Sequence, residues 1–299
     1  MTIYKKGEEF LGSNYWRICN PEMTRLQNGW IILSVVANGN PETNENCKVL
    51  VCLSKDDGET WGDPIVVGRG RTWEPMVVQL PSGELELFVS SEASWWNGEG
   101  ADLQEIVTAR STDNGQTWTS FRRASFKSGA RDGMPVGVVM QGNRGVCFIE
   151  ESVNGGVPPT IVHREIDGNW STGNWDGNNS DRRWRTSLDN GAGAPYMIQL
   201  PTGEFLIMAH TDMTGSVWQT CRPQTIVADS SCKTFKYSNK PLNGNVLPAG
   251  TGAYYNSLFL FDDNTVWLLT TRAKYSGSTR DNSDVMILKG EIVEDTPRN

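Results

Sequence analysis

The sequence predicts an all-β chain arranged as a β-propeller, in one domain over residues 1–299, with five four-stranded blades counted and six as the alternative. Three observations predict it. A hairpin phrase recurs at a near-constant interval, a further β-rich segment follows each copy, and two copies run on into the same eight-residue turn. The composition agrees. There are 31 Gly, 14 Pro and 12 Trp beside only 37% hydrophobic residues, the balance of many short strands and turns. No 11-residue window carries a convincing helical stripe.

The phrase begins at Pro21, Pro75, Pro135 and Pro195, and a fifth copy at Tyr255 has lost its proline. Successive starts are 54, 60, 60 and 60 residues apart, and each copy reaches its turn marker eight residues on, at Gly29, Gly83, Asn143, Gly203 and Asp263. Apolar and β-branched residues flank a Pro/Gly turn, as in MVVQL-PSG-ELELFVSS, which is a hairpin signature. The third strands are KVLVCLS, EIVTARS, TIVHREI, QTIVADS and DVMILKG, and short stretches near TW or RW supply a fourth. The last copy ends near Glu291 without an evident outer strand, so the segment Lys6–Ser13 is expected to supply it and close the ring.

The eight-residue turn is Ser54-Lys-Asp56-Asp-Gly58-Glu-Thr60-Trp61 and Ser111-Thr-Asp113-Asn-Gly115-Gln-Thr117-Trp118, both fitting S-x-D-x-G-x-T-W, the Asp box. Such a turn needs Gly for positive φ, Asp to accept from turn amides, and Trp to pack between sheets. Asp56 and Asp113 therefore read as structural. Worn versions lie around Asp167 and Asp229.

With 27 basic against 35 acidic residues the formal net charge is -8, and no Lys/Arg block exists, so neither nucleic acid nor an anionic membrane is an expected partner. No apolar run has the length of a membrane helix, and no basic-then-apolar leader opens the chain. The six cysteines show no zinc spacing; Cys221 and Cys232 could close a disulfide across a hairpin. Only His163 and His210 are present, without a GxSxG elbow, which argues against a Ser-His-Asp site. No metal and no organic cofactor is expected.

In a propeller the inner strands surround the axis, so matched positions form rings. The residue before each phrase is Asn20, Glu74, Met134, Ala194 and Tyr254; nine residues after each turn marker come Asn38, Glu92, Ser152, Asp212 and Arg272, with Glu150 and Glu151 beside the third. A structural position should repeat its residue type, and these do not, which points to a site on a scaffold. Trp73, Trp95 and Trp96 flank the carboxylates, and an aromatic face suits a sugar ring. Arg131 and Asp132 could grip hydroxyls or a substrate carboxylate, or could pair with each other. Arg17 stands before Pro21 as Arg131 stands before Pro135.

Trp73-Glu74-Pro75, Ser90-Ser91-Glu92, Arg131-Asp132-Gly133-Met134-Pro135, Glu150-Glu151-Ser152 and Gly193-Ala194-Pro195, in that order, resemble the exo-α-1,5-L-arabinanases of glycoside hydrolase family 93, and more loosely the sialidases. The resemblance runs from about Asn20 to Asp212. It implies an Asp-box propeller and a retaining exo-hydrolase acting on arabinan or arabino-oligosaccharide ends through two carboxylic residues. The catalytic candidates it implies are Glu74, Glu92 and Glu151, with Glu74 and Glu151 as the working pair and Glu92 as a member or close support. The substrate-binding candidates are Arg17, Asn20, Trp73, Arg131, Asp132, Asp212, Tyr254, Tyr255 and Arg272. The family has six blades where five are counted here, and it is typically secreted. Secretion is expected, with a cytoplasmic enzyme on imported oligosaccharides as the alternative. The partner is an oligosaccharide or polysaccharide substrate and the chain is expected to be a monomer.

Three rival readings share the scaffold. One is a sialidase, with Arg17, Arg131 and Arg272 as a carboxylate grip and Tyr254 or Tyr255 as nucleophile, though the arginine stands four residues before proline rather than two. A second is another exo-glycosidase. The third is a non-catalytic carbohydrate-binding propeller, which would repeat its binding residues blade by blade.

Overall fold

The computed structural model describes residues 9–10, 13–93, 104–127, 129–140, 144–152, 159–165, 183–188, 191–211, 220–242, 247, 251–276 and 279–293. They form five antiparallel sheets. The first holds β1 (Glu9–Phe10), β2 (Ser13–Arg25), β3 (Ile31–Gly39), β4 (Lys48–Ser54) and β5 (Ile65–Arg69). The second holds β6 (Thr72–Gln79), β7 (Leu85–Ser91), β8 (Glu105–Ser111) and β9 (Arg122–Ser125). The third holds β10 (Arg131–Met140), β11 (Arg144–Ser152), β12 (Pro159–Glu165) and β13 (Arg183–Arg185). The fourth holds β14 (Gly193–Gln199), β15 (Phe205–Thr211), β16 (Arg222–Ala228) and β17 (Phe235–Asn239), and the fifth β18 (Thr251–Asp262), β19 (Thr265–Ser276) and β20 (Thr279–Glu291). Strands neighbour one another in chain order within every sheet, so each sheet is a meander of local hairpins.

The chain packs as two compact units: Met1–Asn154 with Val162–Arg183, and Gly155–Ile161 with Trp184–Asn299. In the first unit Ile32, Val36, Val49 and Val51 of the first sheet meet Val77, Leu85, Leu87 and Val107 of the second, with Trp118 packed against them. Alternation along each strand sends these side chains to one face, so a single register places the whole set in the core. Close approach also matters: a Cβ added at Gly137 on β10 would come within 2.7 Å of the Phe88 ring. In the second unit Leu200 and Met208 pack on Leu258, Val266 and Leu268.

In three copies the repeated phrase folds alike. Gly29, Gly83 and Gly203 have φ of 86°, 88° and 87°, and each donates its N–H to the carbonyl of Leu26, Leu80 or Leu200 at 2.9 Å. Glycine is needed there for its backbone, since nothing lies within 4 Å of a Cβ at Gly29 or Gly83. The two S-x-D-x-G-x-T-W turns join β4 to β5 and β8 to β9. Asp113 Oδ1 accepts from Thr117 N at 2.9 Å and Ser111 Oγ at 2.8 Å, Oδ2 accepts from Thr117 Oγ1 at 2.6 Å, and Trp118 Nε1 donates to Gly115 O at 2.9 Å. The Thr117 hydroxyl and the turn amides hold the Asp113 carboxyl at about 2 despite some burial. Asp56 repeats the pattern, and Asp229 keeps much of it between β16 and β17.

Two expectations are corrected. The N-terminal strand does not complete the fifth sheet: Glu9 and Phe10 pair with Asn14 and Ser13 in a local hairpin, which makes the first sheet five-stranded. A contact three to five residues away closes a far smaller loop than one across the chain, so the local pairing loses less entropy. The fifth sheet has three strands among the described residues. Nor is there a Cys221–Cys232 bridge; both are buried thiols outside any disulfide. Burial above all, with Asp229 nearby, pushes the Cys232 thiol up to about 12.

Candidate functional site

The strands β2, β6, β10, β14 and β18 carry the same irregularity. The register shifts between Cys19 and Glu22, Trp73 and Met76, Gly133 and Val136, Gly193 and Tyr196, and Tyr254 and Asn256. At each shift one residue takes positive φ: Asn20 (53°), Glu74 (50°), Met134 (49°), Ala194 (46°) and Tyr255 (58°). These are β-bulges, and a side chain other than glycine held there costs about 1–3 kcal/mol. In four cases the next residue is the phrase proline, which has no N–H for the ladder. One backbone device therefore holds five different side chains, and strain kept at matched positions suits a site.

The bulges correct the ring alignment in the fifth sheet. Tyr255, not Tyr254, is the counterpart of Glu74, because this copy lacks the proline and its bulge falls one residue later. Tyr254 stands where Trp73 stands, buried against Cys221 and Ala273, and meets Tyr255 edge-on at 5.0 Å. Arg272 slips likewise. Three residues before the bulge are Arg17, Arg71, Arg131 and Gly252, paired with Asn38, Glu92, Ser152 and Ala273. Ala273 thus holds the position matched to Glu92, while Arg272 lies one residue away and pairs with Asp284. A one-residue shift turns a strand side chain to the opposite face.

In the first unit this register brings the predicted residues together. The Arg17 guanidinium lies 4.0 Å from the Trp16 ring centroid and 4.4 Å from that of Trp73, and Arg71 approaches Trp73 at 5.3 Å. Arg71 Nε sits 2.9 Å from Glu92 Oε2, and Arg131 Nη2 sits 2.9 Å from Glu92 Oε1. Arg131 also donates to Gln104, and Arg71 lies 3.6 Å from Glu42. The result is a continuous row from Trp16 through Arg17, Trp73, Arg71 and Glu92 to Arg131. Glu74 stands beside it, half-buried, accepting from Ser90 Oγ at 3.0 Å; the same hydroxyl accepts from the Met134 N–H at 3.0 Å. Burial pushes the Cys19 thiol up, Arg17 pulls it down and Glu74 pushes it up, so both charges lie close to Cys19. Cys19 itself donates to Asn20 Oδ1 at 3.2 Å. Arg17 Nε, Arg131 Nε and both amide atoms of buried Asn38 have no hydrogen-bond partner, although buried polar atoms are ordinarily satisfied.

Arg131 and Asp132 do not pair with each other. Neighbours on a strand point to opposite faces, and Asp132 turns inward to a buried cluster. Arg183 donates to Asp132 Oδ1 at 2.6 Å and Oδ2 at 2.8 Å, to Glu151 Oε2 at 2.7 and 3.1 Å, and to Ser125 Oγ at 2.9 Å. Lys127 donates to Glu151 Oε1 at 2.7 Å, and Ser125 donates to Asp132 Oδ2 at 2.5 Å. Burial alone would push the Glu151 carboxyl up, but Arg183 and Lys127 outweigh it and hold it at about 2. Glu151 is thereby an ion-paired carboxylate that cannot supply a proton near neutrality, and it lies with Asp132 rather than with Arg131 and Glu92.

Asp212, Trp95 and Trp96 lie outside the described residues, as do the side chains of Glu150 and Ser152. The sequence reading missed Arg71, Lys127 and Arg183. Arg71 had a signal, since it lies 54 residues after Arg17 and 60 before Arg131, the phrase interval. Arg183 had none, because its partners are 32 to 58 residues away. Among the described residues no group of three or more His, Cys, Asp or Glu could hold a metal ion, and no helix is long and apolar enough to cross a membrane.

No family model and no curated protein matches the sequence. Solved structures do match the fold. An α-L-arabinofuranosidase of glycoside hydrolase family 93 from Fusarium graminearum, in complex with arabinobiose, superimposes with a TM-score of 0.63 and 18% identity over 95% of this chain and 79% of that one. An α-L-arabinanase from Penicillium chrysogenum, also with arabinobiose, gives 0.58 and 16% over 94% and 79%. The NanB sialidase of Streptococcus pneumoniae gives 0.59 and 12% over 95% and 62%. This chain has their fold, the β-propeller.

Proposed function

We propose that this chain is an exo-acting glycoside hydrolase of arabinan or arabino-oligosaccharide ends, with Glu74 as the proton-handling carboxyl and Glu92 as the second carboxylate. The observation that carries it is the row in the first unit: a half-buried glutamate on a strained bulge, beside an arginine-faced tryptophan and an arginine-clamped glutamate. Glu74 accepts from the Ser90 hydroxyl, which orients its carboxyl for proton exchange. Trp73 supplies an aromatic face, and Arg17, Asn38 and Arg131 supply unpartnered polar atoms for sugar hydroxyls. The fold neighbours that bind arabinobiose support the choice of sugar. The ion pairs of Glu151 with Arg183 and Lys127 support reading it as a structural anion, and the proposed working pair is therefore Glu74 and Glu92 rather than Glu74 and Glu151.

The test is hydrolysis of linear arabino-oligosaccharides by the wild type and three variants. Glu74→Gln and Glu92→Gln each lower turnover by at least about a hundredfold with the fold intact, the scale of positioned acid–base groups. Glu151→Gln lowers stability and leaves turnover per folded molecule within about tenfold. Full turnover in Glu74→Gln refutes the assignment. The three matched arginines favour, as a second reading, a hydrolase that grips a sugar carboxylate; turnover of an aryl sialoside but not of arabino-oligosaccharides would establish it.

A further inference from the structure

The two carboxylates of the proposed pair stand on the second sheet but are held from the third. Glu74 sits on the bulge of β6, and Glu92 lies one residue past the end of β7, so the ladder of their own sheet sets their backbone and not their carboxyls. One stretch of β10, from Arg131 to Met134, reaches both. Arg131 Nη2 donates to Glu92 Oε1 at 2.9 Å. The Met134 N–H, on the next bulge, donates at 3.0 Å to Ser90 Oγ, which in turn donates at 3.0 Å to Glu74 Oε2. Gln104, just before β8, fastens this stretch to the second sheet. Its carbonyl accepts from Asp132 N at 3.0 Å, its Nε2 donates to Asp132 O at 3.0 Å, and its Oε1 accepts from Arg131. The fit is close, since a Cβ on Gly133 would come within 2.7 Å of Gln104 Nε2.

Ser90 is 0% exposed, and its two bonds run in one direction only. A backbone N–H can only donate, so Ser90 Oγ accepts from Met134 and spends its single proton on Glu74. Glu74 Oε2 is thereby an acceptor, and a proton carried by this carboxyl sits on Oε1. A hydrogen bond donated to a carboxylate also favours its ionised form. We propose that Ser90 is a positioning residue that ties the Glu74 carboxyl to the Met134 bulge and fixes which of its oxygens takes the proton. The proposal rests on the reading of Glu74 as the proton-handling carboxyl. Such placement is decisive for turnover, because a displacement of about 1 Å in a reacting group costs about a hundredfold in rate.

Ser90→Ala removes the hydroxyl and leaves Glu74 in place, and two measurements read the result. The first needs no turnover: the carboxyl carbon-13 resonances of the whole chain are followed against pH, with Glu74 identified by the signal missing in Glu74→Gln. The charged and titratable groups around this end of the site are Arg17 and Cys19 of β2, Arg71 of β6, Glu92 after β7 and Arg131 of β10, and all are common to wild type and variant. The Glu74 midpoint therefore rises by about one unit in Ser90→Ala, the loss of one hydrogen bond to a charged group. The second is hydrolysis of linear arabino-oligosaccharides. Ser90→Ala lowers kcat at least about tenfold with KM within about threefold, and adds less than about twofold to the loss in Glu74→Gln, because it acts through that carboxyl. If circular dichroism shows Ser90→Ala unfolded, Ser90→Cys, which keeps the shape and a weaker donor, takes its place with a smaller rise in the same direction. A Glu74 midpoint that stays where it is, or losses in Ser90→Ala and Glu74→Gln that multiply, overturns the proposal. A wild type inert toward these sugars sinks the hydrolase reading alone, and the titration still decides whether Ser90 sets the state of Glu74.

Discussion

Replacing Arg183 by methionine tests the account of the buried cluster. Asp132 and Glu151 face each other directly across β10 and β11, and their side chains are 0% and 1% exposed. Like charges so placed repel, and Arg183, itself 6% exposed, joins them with four charge-assisted hydrogen bonds. Arg183→Met keeps most of the side-chain volume and removes the guanidinium, leaving Lys127 beside Glu151. Removing one partner of a buried pair costs about 3–5 kcal/mol. The Glu151 carboxyl gives the same scale: its fall from 4.5 to about 2 corresponds to roughly 3 kcal/mol at pH 7.

The sign of the pH dependence is sharper than the magnitude. In the wild type the Glu151 carboxyl is depressed, so its contribution is complete above pH 4.5 and is lost as pH falls toward 2. In Arg183→Met the buried Glu151 carboxyl loses the larger of its two counter-charges, so its affinity for a proton rises. The folded state then binds more protons than the unfolded state above pH 4.5, and stability increases as pH falls from 7 toward 5. Urea denaturation at several pH values measures both effects. A loss under about 1 kcal/mol, or a pH slope equal to that of the wild type, refutes the assigned role of Arg183. Adding Asp132→Asn to Arg183→Met should recover part of the loss, because the two sites share partners.

Two further predictions concern the scaffold. Burial holds the His210 imidazole at about 4, so between pH 6.5 and 4 the unfolded chain takes the proton first and stability falls as pH falls, by roughly 3 kcal/mol over that window; His210→Phe should flatten the slope above pH 4.5, and an unchanged slope refutes the assignment. Gly83→Ala should cost about 1–2 kcal/mol in denaturant unfolding, because φ is 88° there and no neighbour obstructs the new Cβ; a loss near zero would show that the turn can rearrange.

Part of the candidate site was legible in the sequence, and much of its wiring was not. Residue types that vary at a fixed place in a repeat pointed to Glu74 and Glu92; Glu92 lies on the row with Trp73, and Glu74 stands beside it. Tyr254 and Arg272 were displaced by one residue, because a count cannot show where a bulge falls once its proline is gone. Glu151 came from the family resemblance and its place beside Ser152, yet strand pairing turns it toward Arg183 and Lys127.

Hairpins, turns and the repeat interval are short-range properties, set by backbone preference and by the two-residue period of a strand, and so a one-dimensional string determined them: five sheets, their first three strands, and the glycine and aspartate turns between them. Which carboxylates are ion-paired, which arginines share a glutamate and which hydroxyl holds Glu74 all depend on residues tens of positions apart meeting in space. Only the tertiary structure decided those, because contacts of that range follow from packing rather than from any local preference of the chain.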